Sequence, residues 1–395
     1  MAVIARLGTA LAERACRCGD AARRGTRNLR RRLDAGEWDV HAGLPPDTAL
    51  RERTWQVCRR GGPPRGRFVM FLPDGTLAGA PPGGATRWET AGGRLLLRDA
   101  QGAEVQRFER VACHPVWGIR LLGAAGIALE ATPIPCRLSG VPVTLDWRID
   151  PASGRRRNLV LIGADERSLH HRWPQDGGDA GRTWDLGIIF YGDAANYPPA
   201  CAHECAIHLP ASGKFAALHT VLHEGSALWQ YERIFLPDDD LLMSWPDITR
   251  LFAICERHGL LLAQPALTAQ SFVAHRVTRQ RDGSELRFVR FVEGMAPVFT
   301  RQALRLVLPT FTLTRSGWGI DHIWPKLLGE PARGLAIIDA VPMTHTRAVG
   351  TNYSRFRARR EMARLLGACG VRMDFSECGA VPAAPAQGAR ISPVP

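Results

Sequence analysis

The sequence predicts an α/β chain in which a mostly parallel sheet with helices on both faces follows a small antiparallel β module. Three observations predict it. From residue 155 onward, apolar runs of strand length alternate with helical patterns, the order that βα units give. Between Trp38 and Pro151 the turn signals crowd together and separate short runs with loose apolar/polar alternation. The 395 residues are 45% hydrophobic and 23% charged, a soluble globular profile long enough for two or three domains and at least one large core. The division that follows is a basic N-terminal arm over 1–36, partly disordered or amphipathic, an antiparallel β domain over 37–151, an α/β domain over 155–370 and a flexible C-terminal tail over 371–395.

Taken in order, the arm has Val3, Ile4, Leu7 and Leu11 at helical spacing, then the Arg24 to Arg32 cluster. It reads either as a solvated tail or as a short amphipathic helix on an anionic membrane. In the β module, Pro73-Asp74-Gly75, Pro81-Pro82-Gly83-Gly84 and Gly92-Gly93 punctuate the runs Arg67–Leu72, Arg94–Leu97 and Val105–Phe108. Trp88 and Trp117 there are read as core rings rather than as a sugar grip. The α/β region offers strands at Asn158–Gly163, Leu186–Tyr191, Arg233–Leu236, Leu260–Gln264, Phe288–Val292 and Leu335–Val341, with helices over Lys214–His223 and Asp247–Arg257. The second helix carries its own punctuation: Ser244 to cap it, Pro246 in the first turn and Gly259 past the end.

The formal net charge is +13, but only Lys214 and Lys326 are lysines, so the basic charge is almost all arginine, and with 40 Gly and 28 Pro it reads as compositional bias. Nine arginines between Arg6 and Arg32 hold much of the excess. The basicity is therefore weak support for a nucleic-acid partner. Ten cysteines at scattered spacings do not form a disulfide framework, and Cys201 and Cys205 without a second pair are a poor zinc signature. No apolar window reaches membrane-span length and no secretory segment is read, so the expected location is cytoplasmic, with peripheral contact to the inner membrane face through the arm as an option.

The sharpest feature is the apolar run Ile234-Phe235-Leu236-Pro237 ending in Asp238-Asp239-Asp240. In an open α/β sheet, ligands bind beyond the carboxyl ends of strands. Three adjacent carboxylates repel one another, and a divalent cation relieves the repulsion. On an extended segment Asp238 and Asp240 point to one side, where hard oxygens suit Mg²⁺ or Mn²⁺ bound to substrate phosphates. Asp239 points elsewhere and is assigned to donor binding. A solvated acidic loop is the alternative.

Together with Asn158–Ala164, Trp184-Asp185-Leu186, Phe190-Tyr191-Gly192-Asp193, Lys214-Phe215, Gln264-Pro265-Ala266-Leu267, Val292–Phe299 and Gly317-Trp318-Gly319-Ile320-Asp321, this segment resembles a domain-of-unknown-function family of bacterial and plant proteins. That family in turn resembles glycosyltransferases with the A-type, Rossmann-like nucleotide-sugar fold. The resemblance covers about Arg157 to Tyr353. It implies that Asp238 and Asp240 are the metal-diphosphate motif, that Trp318 to Asp321 is the acceptor-side acidic motif, and that His345, in Pro342-Met343-Thr344-His345, completes the metal shell unless it is an ordinary hydrogen-bonded histidine. It also implies that Asp165 and Asp193 lie where base and ribose bind, although each is equally a turn residue, and that Lys214 meets a phosphate unless it is a surface lysine. Trp318 either stacks on a sugar or fills the core.

The implied reaction is transfer of a sugar from a nucleotide-diphosphate donor to a glycan or other hydroxyl acceptor, as in surface-polysaccharide synthesis. Mn²⁺ or Mg²⁺ would stabilise the leaving diphosphate. A carboxylate base would take the acceptor proton, Asp321 first and Glu293 second, with helix capping as the competing role for both. The alternative is a non-catalytic glycan- or nucleotide-binding protein that retains the fold.

Overall fold

The computed structural model describes residues 39–383 except 43, 46, 52–54, 60–66, 115–117, 124–125, 132–142, 144, 153, 174–180, 198–202, 211–212, 224 and 349–353. The basic arm, Trp117 and Cys201 lie outside the described residues.

The first half is an antiparallel sheet of β1 (Asp39–Ala42), β2 (Trp55–Arg59), β3 (Phe68–Phe71), β4 (Leu77–Gly79), β5 (Arg87–Ala91), β6 (Arg94–Arg98), β7 (Glu104–His114), β8 (Gly118–Gly123) and β9 (Ile127–Ala131), with one short helix, α1 (Asp47–Arg51). The spatial order is β4-β3-β2-β9-β8-β7-β6-β5, with β1 added beside β7. Its two edges nearly meet: the amide of Trp88 donates to the carbonyl of Gly75 and that of Leu77 to Thr86, each at 2.9 Å. A barrel-like wrap removes exposed edges and encloses Trp55, Val69, Phe71, Leu95, Leu97 and Phe108. Trp88 packs edge-on against Phe71 and donates its indole N–H to Leu72, which leaves no open ring face to grip a ligand.

The second half is built on a mixed sheet. Its strands are β10 (Asp146–Trp147), β11 (Asn158–Ala164), β12 (Trp184–Phe190), β13 (Cys205–His208), β14 (Arg233–Phe235), β15 (Leu241–Leu242), β16 (Leu262–Leu267), β17 (Ser284–Val289), β18 (Val298–Thr300), β19 (Leu335–His345) and β20 (Glu377–Pro382). They run in the order β10-β13-β12-β11-β14-β18-β16-β19-β17-β20, with β15 on β19. The expected mostly parallel, Rossmann-like sheet is therefore corrected. Only β11·β12, β11·β14, β12·β13 and β16·β19 are parallel, while β18 enters antiparallel between β14 and β16, and β17 and β20 are also antiparallel. The sheet is mixed because β18 inserts between β14 and β16 and pairs antiparallel with both, while β17 lies antiparallel beside β19 and β20 antiparallel beside β17. Apolar runs reveal that a strand is buried, but not which way it points.

Helices cover both faces. Helix α3 (Trp245–Arg257) buries Ile248, Leu251, Phe252 and Cys255 on one face, with Ser244 accepting from the amide of Asp247 as its cap and Gly259 (φ 59°) after its end. On the other face lie α2 (Lys214–Val221), α4 (Arg301–Val307), α5 (Trp324–Leu327) and the last turns of α6 (Arg355–Cys369). The two sheets share packing through β3. Its Phe68 and Met70 join the core of the mixed sheet, while Val69 and Phe71 face the barrel interior, which explains a strand apolar at every position.

Within the segment 371–395 assigned to a flexible tail, Glu377–Pro382 form β20. It is secured by a buried ion pair: the Arg287 guanidinium, 2% exposed, grips Asp339 with Nε at 2.8 Å and Nη2 at 3.0 Å, and reaches Glu377 of β20 at 2.9 Å. Removing one partner strands the other charge. We expect Asp339→Ala to lower the unfolding free energy by about 3–5 kcal/mol, measured by urea denaturation, and to release β20 to proteolysis.

Candidate active site

The chain leaves β14 and runs along Leu236 to Asp240 at the carboxyl edge of β11 and β14, where the sheet direction changes. Backbone hydrogen bonds hold this run on both sides. Leu236 N–H donates to Pro297 O at 2.9 Å, Asp238 N–H to Met295 O at 2.8 Å, and Thr346 N–H to Asp240 O at 3.1 Å. Pairing of Leu241 with His345 in β15·β19 then sets Asp240 beside His345. A cavity of about 870 Å³ opens there, and Lys214, Asp238, Asp239, Asp240, Glu293, Trp318, Asp321 and His345 all line it. Asp165 and Asp193 are not among its lining residues. Asp165 accepts from the amide of Arg167 in a turn, and Asp193 caps the turn at Ala195.

The three aspartates point three ways. Asp238 accepts Lys214 Nζ at 2.6 Å, and the same ammonium is fixed by the carbonyls of Gly294 and Met295, each at 2.9 Å. Asp239 accepts from Tyr191, from Ser168 at 3.1 Å and from Arg347. Asp240 takes Arg347 Nε at 3.1 Å, with His345 Nε2 3.4 Å away. Burial opposes ionisation of Asp240, but His345 and Arg347 outweigh it and hold its carboxyl below the usual range; reciprocally, Asp240 raises His345 against the effect of burial.

The sequence suggested that Asp238, Asp240 and His345 converge on a cation. Among the described residues no group of three His, Cys, Asp or Glu side chains is arranged to hold one. Asp238 is drawn aside by Lys214, and Asp239 is engaged within the protein. The remaining pair still has suitable donor chemistry. Asp240 Oδ1 is buried without a hydrogen-bond partner, and His345 Nδ1 is 2.8 Å from Phe272 O, an arrangement that turns Nε2 toward Asp240.

The opposite wall carries the other acids. Asp321 receives amide N–H groups from Gly294 at 3.2 Å and His322 at 3.1 Å; burial nevertheless raises its pKa to about 6. Glu293 has one oxygen, Oε2, buried without a partner, and burial followed by the charge of Asp321 pushes it up to about 8. Gly317 (φ 74°) lets the loop lie against Phe215, where a Cβ would come within 2.4 Å of the ring. Trp318 lines the cavity, its amide donating to Ser316 Oγ at 3.3 Å.

Sequence reasoning missed Arg347, and with it Arg315, Arg355 and Arg359 on the cavity wall. Arg347 had a signal: two residues beyond His345 at a strand end, it falls on the same side of extended chain. Arg315 lies three residues before Trp318, and Arg355 and Arg359 share one face of α6 at i, i+4, but nothing along the chain shows that this face turns toward the cavity.

No family model matches the chain, and no curated protein matches it. Among solved structures, a Pyrobaculum calidifontis mannosyltransferase in complex with GDP-Man and Mn²⁺ is similar at 16% identity and TM-score 0.36, over 54% of this chain and 64% of that one. Staphylococcus aureus TarS is similar at 8% identity and TM-score 0.36, over 48% and 37%, and its 1–349 form in complex with UDP-GlcNAc at 9% and 0.36, over 53% and 66%. The alignments thus span less than two thirds of each of these chains and assign no residue a role.

Because Glu293 keeps its proton in the native state far above its usual 4.5, the folded chain holds a proton that the unfolded chain has lost, and stability falls as pH rises toward about 8. We expect Glu293→Gln, a neutral mimic of the protonated acid, to flatten that fall, read as urea midpoints at about pH 5 and about pH 8.

Proposed function

We propose that this cavity is the active site of a glycosyltransferase that uses a nucleotide-diphosphate sugar and a divalent cation. The observation that carries the reading is that one cavity is lined both by Asp240, whose Oδ1 is buried without a hydrogen-bond partner, and by a second carboxylate, Asp321, held by two amides. Asp240 and His345 would hold Mn²⁺ or Mg²⁺, which when bound supplies a Lewis acid for the departing diphosphate. Lys214 pins Asp238 and the backbone of Gly294 and Met295, and so fixes the floor of the site. Arg347, now on Asp239 and Asp240, is within reach of the same phosphates.

Asp321 is the acceptor base. Its pKa of about 6 leaves it ionised near neutral pH yet basic enough to take a proton from a hydroxyl, the balance that general-base catalysis favours. Glu293, raised to about 8, keeps its proton under the same conditions and serves as a donor to the bound sugar or acceptor. Trp318 offers an apolar ring to the sugar at the same wall.

Two measurements test this reading. Calorimetric affinity for UDP or GDP should be much higher with Mn²⁺ than with chelator, and Asp240→Asn should remove the difference; equal affinities in the wild type end the metal assignment. Asp321→Asn keeps an oxygen acceptor for one of the two amides, which bond to different carboxylate oxygens, and is a far poorer base. The variant should stay folded, with stability lowered by about 1–3 kcal/mol for the one lost amide bond and donor affinity near wild type, while sugar transfer falls at least ~100-fold. Transfer that survives within a few-fold leaves Asp321 a structural acceptor, and binding of donor with no transfer to any hydroxyl acceptor would favour the non-catalytic reading.

A further inference from the structure

Large hydrophobic side chains that remain exposed are few among the described residues, and they gather in one place. Of Val40, Leu242, Phe272, Phe356, Met373 and Phe375, the last four surround the cavity mouth. Phe272 (49% exposed) and Met373 (53%) line it, Phe375 stacks on the lining residue His275, and Phe356 (69%) follows the lining residue Arg355. An apolar cluster held open to water at the rim of a site marks a surface that meets something else.

Helix α6 supplies the second observation. It carries five arginines, Arg355, Arg357, Arg359, Arg360 and Arg364, against one glutamate, Glu361. All five are exposed, and none forms an ion pair with a carboxylate among the described residues. Arg355, Arg359 and Met362 form the helical stripe that faces the cavity. The adjoining stripe presents Phe356 with the Arg360 guanidinium 5.6 Å from its ring centre. Arginines flanking exposed aromatic and thioether side chains match the two components of an anionic bilayer surface, charged headgroups over an apolar boundary.

We propose that this rim, α6 with Phe272, Met373 and Phe375, docks the protein on an anionic lipid surface, with the cavity mouth facing the headgroups. The proposal concerns the rim alone and stands whether or not the cavity transfers a sugar. Docked this way, the site is open to a hydroxyl acceptor carried at the membrane and shielded from acceptors in bulk water.

The test is co-sedimentation of the full chain with vesicles of phosphatidylglycerol or phosphatidylcholine. Wild type should partition onto the anionic vesicles and not onto the neutral ones. Arg357, Arg360 and Arg364 do not line the cavity, so the triple variant R357Q/R360Q/R364Q should keep nucleotide affinity and melting temperature while vesicle partitioning falls roughly 100-fold, at about fivefold per arginine near an anionic surface. Phe356→Ser, with all arginines intact, should also weaken binding, in a way that added salt does not mimic. Partitioning of both variants equal to wild type overturns the proposal and leaves any membrane contact to the basic arm. Equal binding of wild type to phosphatidylcholine, or none to phosphatidylglycerol, overturns it as well.

Discussion

Three consecutive carboxylates, Asp238, Asp239 and Asp240, are the constraint around which this half of the molecule is arranged. Two unit charges about 4 Å apart repel by roughly 4 kcal/mol even in surroundings with an effective dielectric near about 20, and burial sharpens the conflict. The fold resolves it by turning the three side chains apart and giving each its own partners: Lys214 for Asp238, Tyr191 and Ser168 for Asp239, Arg347 shared between Asp239 and Asp240, and His345 beside Asp240. Those partners come from the start of α2, the end of β12, the loop after β11 and the end of β19. Satisfying one acidic tripeptide therefore fastens the ends of several elements to one another, and the cavity is what remains between them.

The charges are balanced at unequal depth, and the imbalance gives the site its chemistry. Asp238 and Asp239 are spoken for within the protein. Asp240 keeps one buried oxygen without a partner, and Glu293 keeps another across the cavity. Buried polar atoms are seldom left so, because an unmade hydrogen bond costs about 1–3 kcal/mol. Asp240 and Glu293 both line the cavity that Asp321, held by two amides, also lines.

Much of this was legible along the chain. The Ser244 cap, Pro246 and Gly259 mark α3 because helix ends are local chemistry. The strand-length runs at Asn158, Leu186, Arg233 and Leu335 are buried strands, since a run of apolar residues has nowhere else to go. Alternation of extended backbone separates Asp238 from Asp239 but would have left Asp240 beside Asp238, and the meeting of Lys214, Glu293, Trp318, Asp321 and His345 on one cavity was expected from the family resemblance, not from spacing. Strand direction was not legible. β18 enters antiparallel between β14 and β16, strands far from it in the chain, and the tail folds back as β20, where Glu377 meets Arg287 of β17 beside Asp339.

By itself the sequence determined which residues are buried, where helices start and stop, and which carboxylates sit at strand ends, because each of these depends on periodicity or on contacts a few residues long. Only the tertiary structure decided that the sheet is mixed, that Lys214 and Arg347 rather than a third ligand stand beside the aspartates, and that exposed Phe and Arg side chains ring the cavity mouth. The physical reason is range. Strand orientation, ion pairs between residues some hundred positions apart and the exposure of a side chain are properties of what the chain brings together, and no local pattern encodes which distant group will arrive.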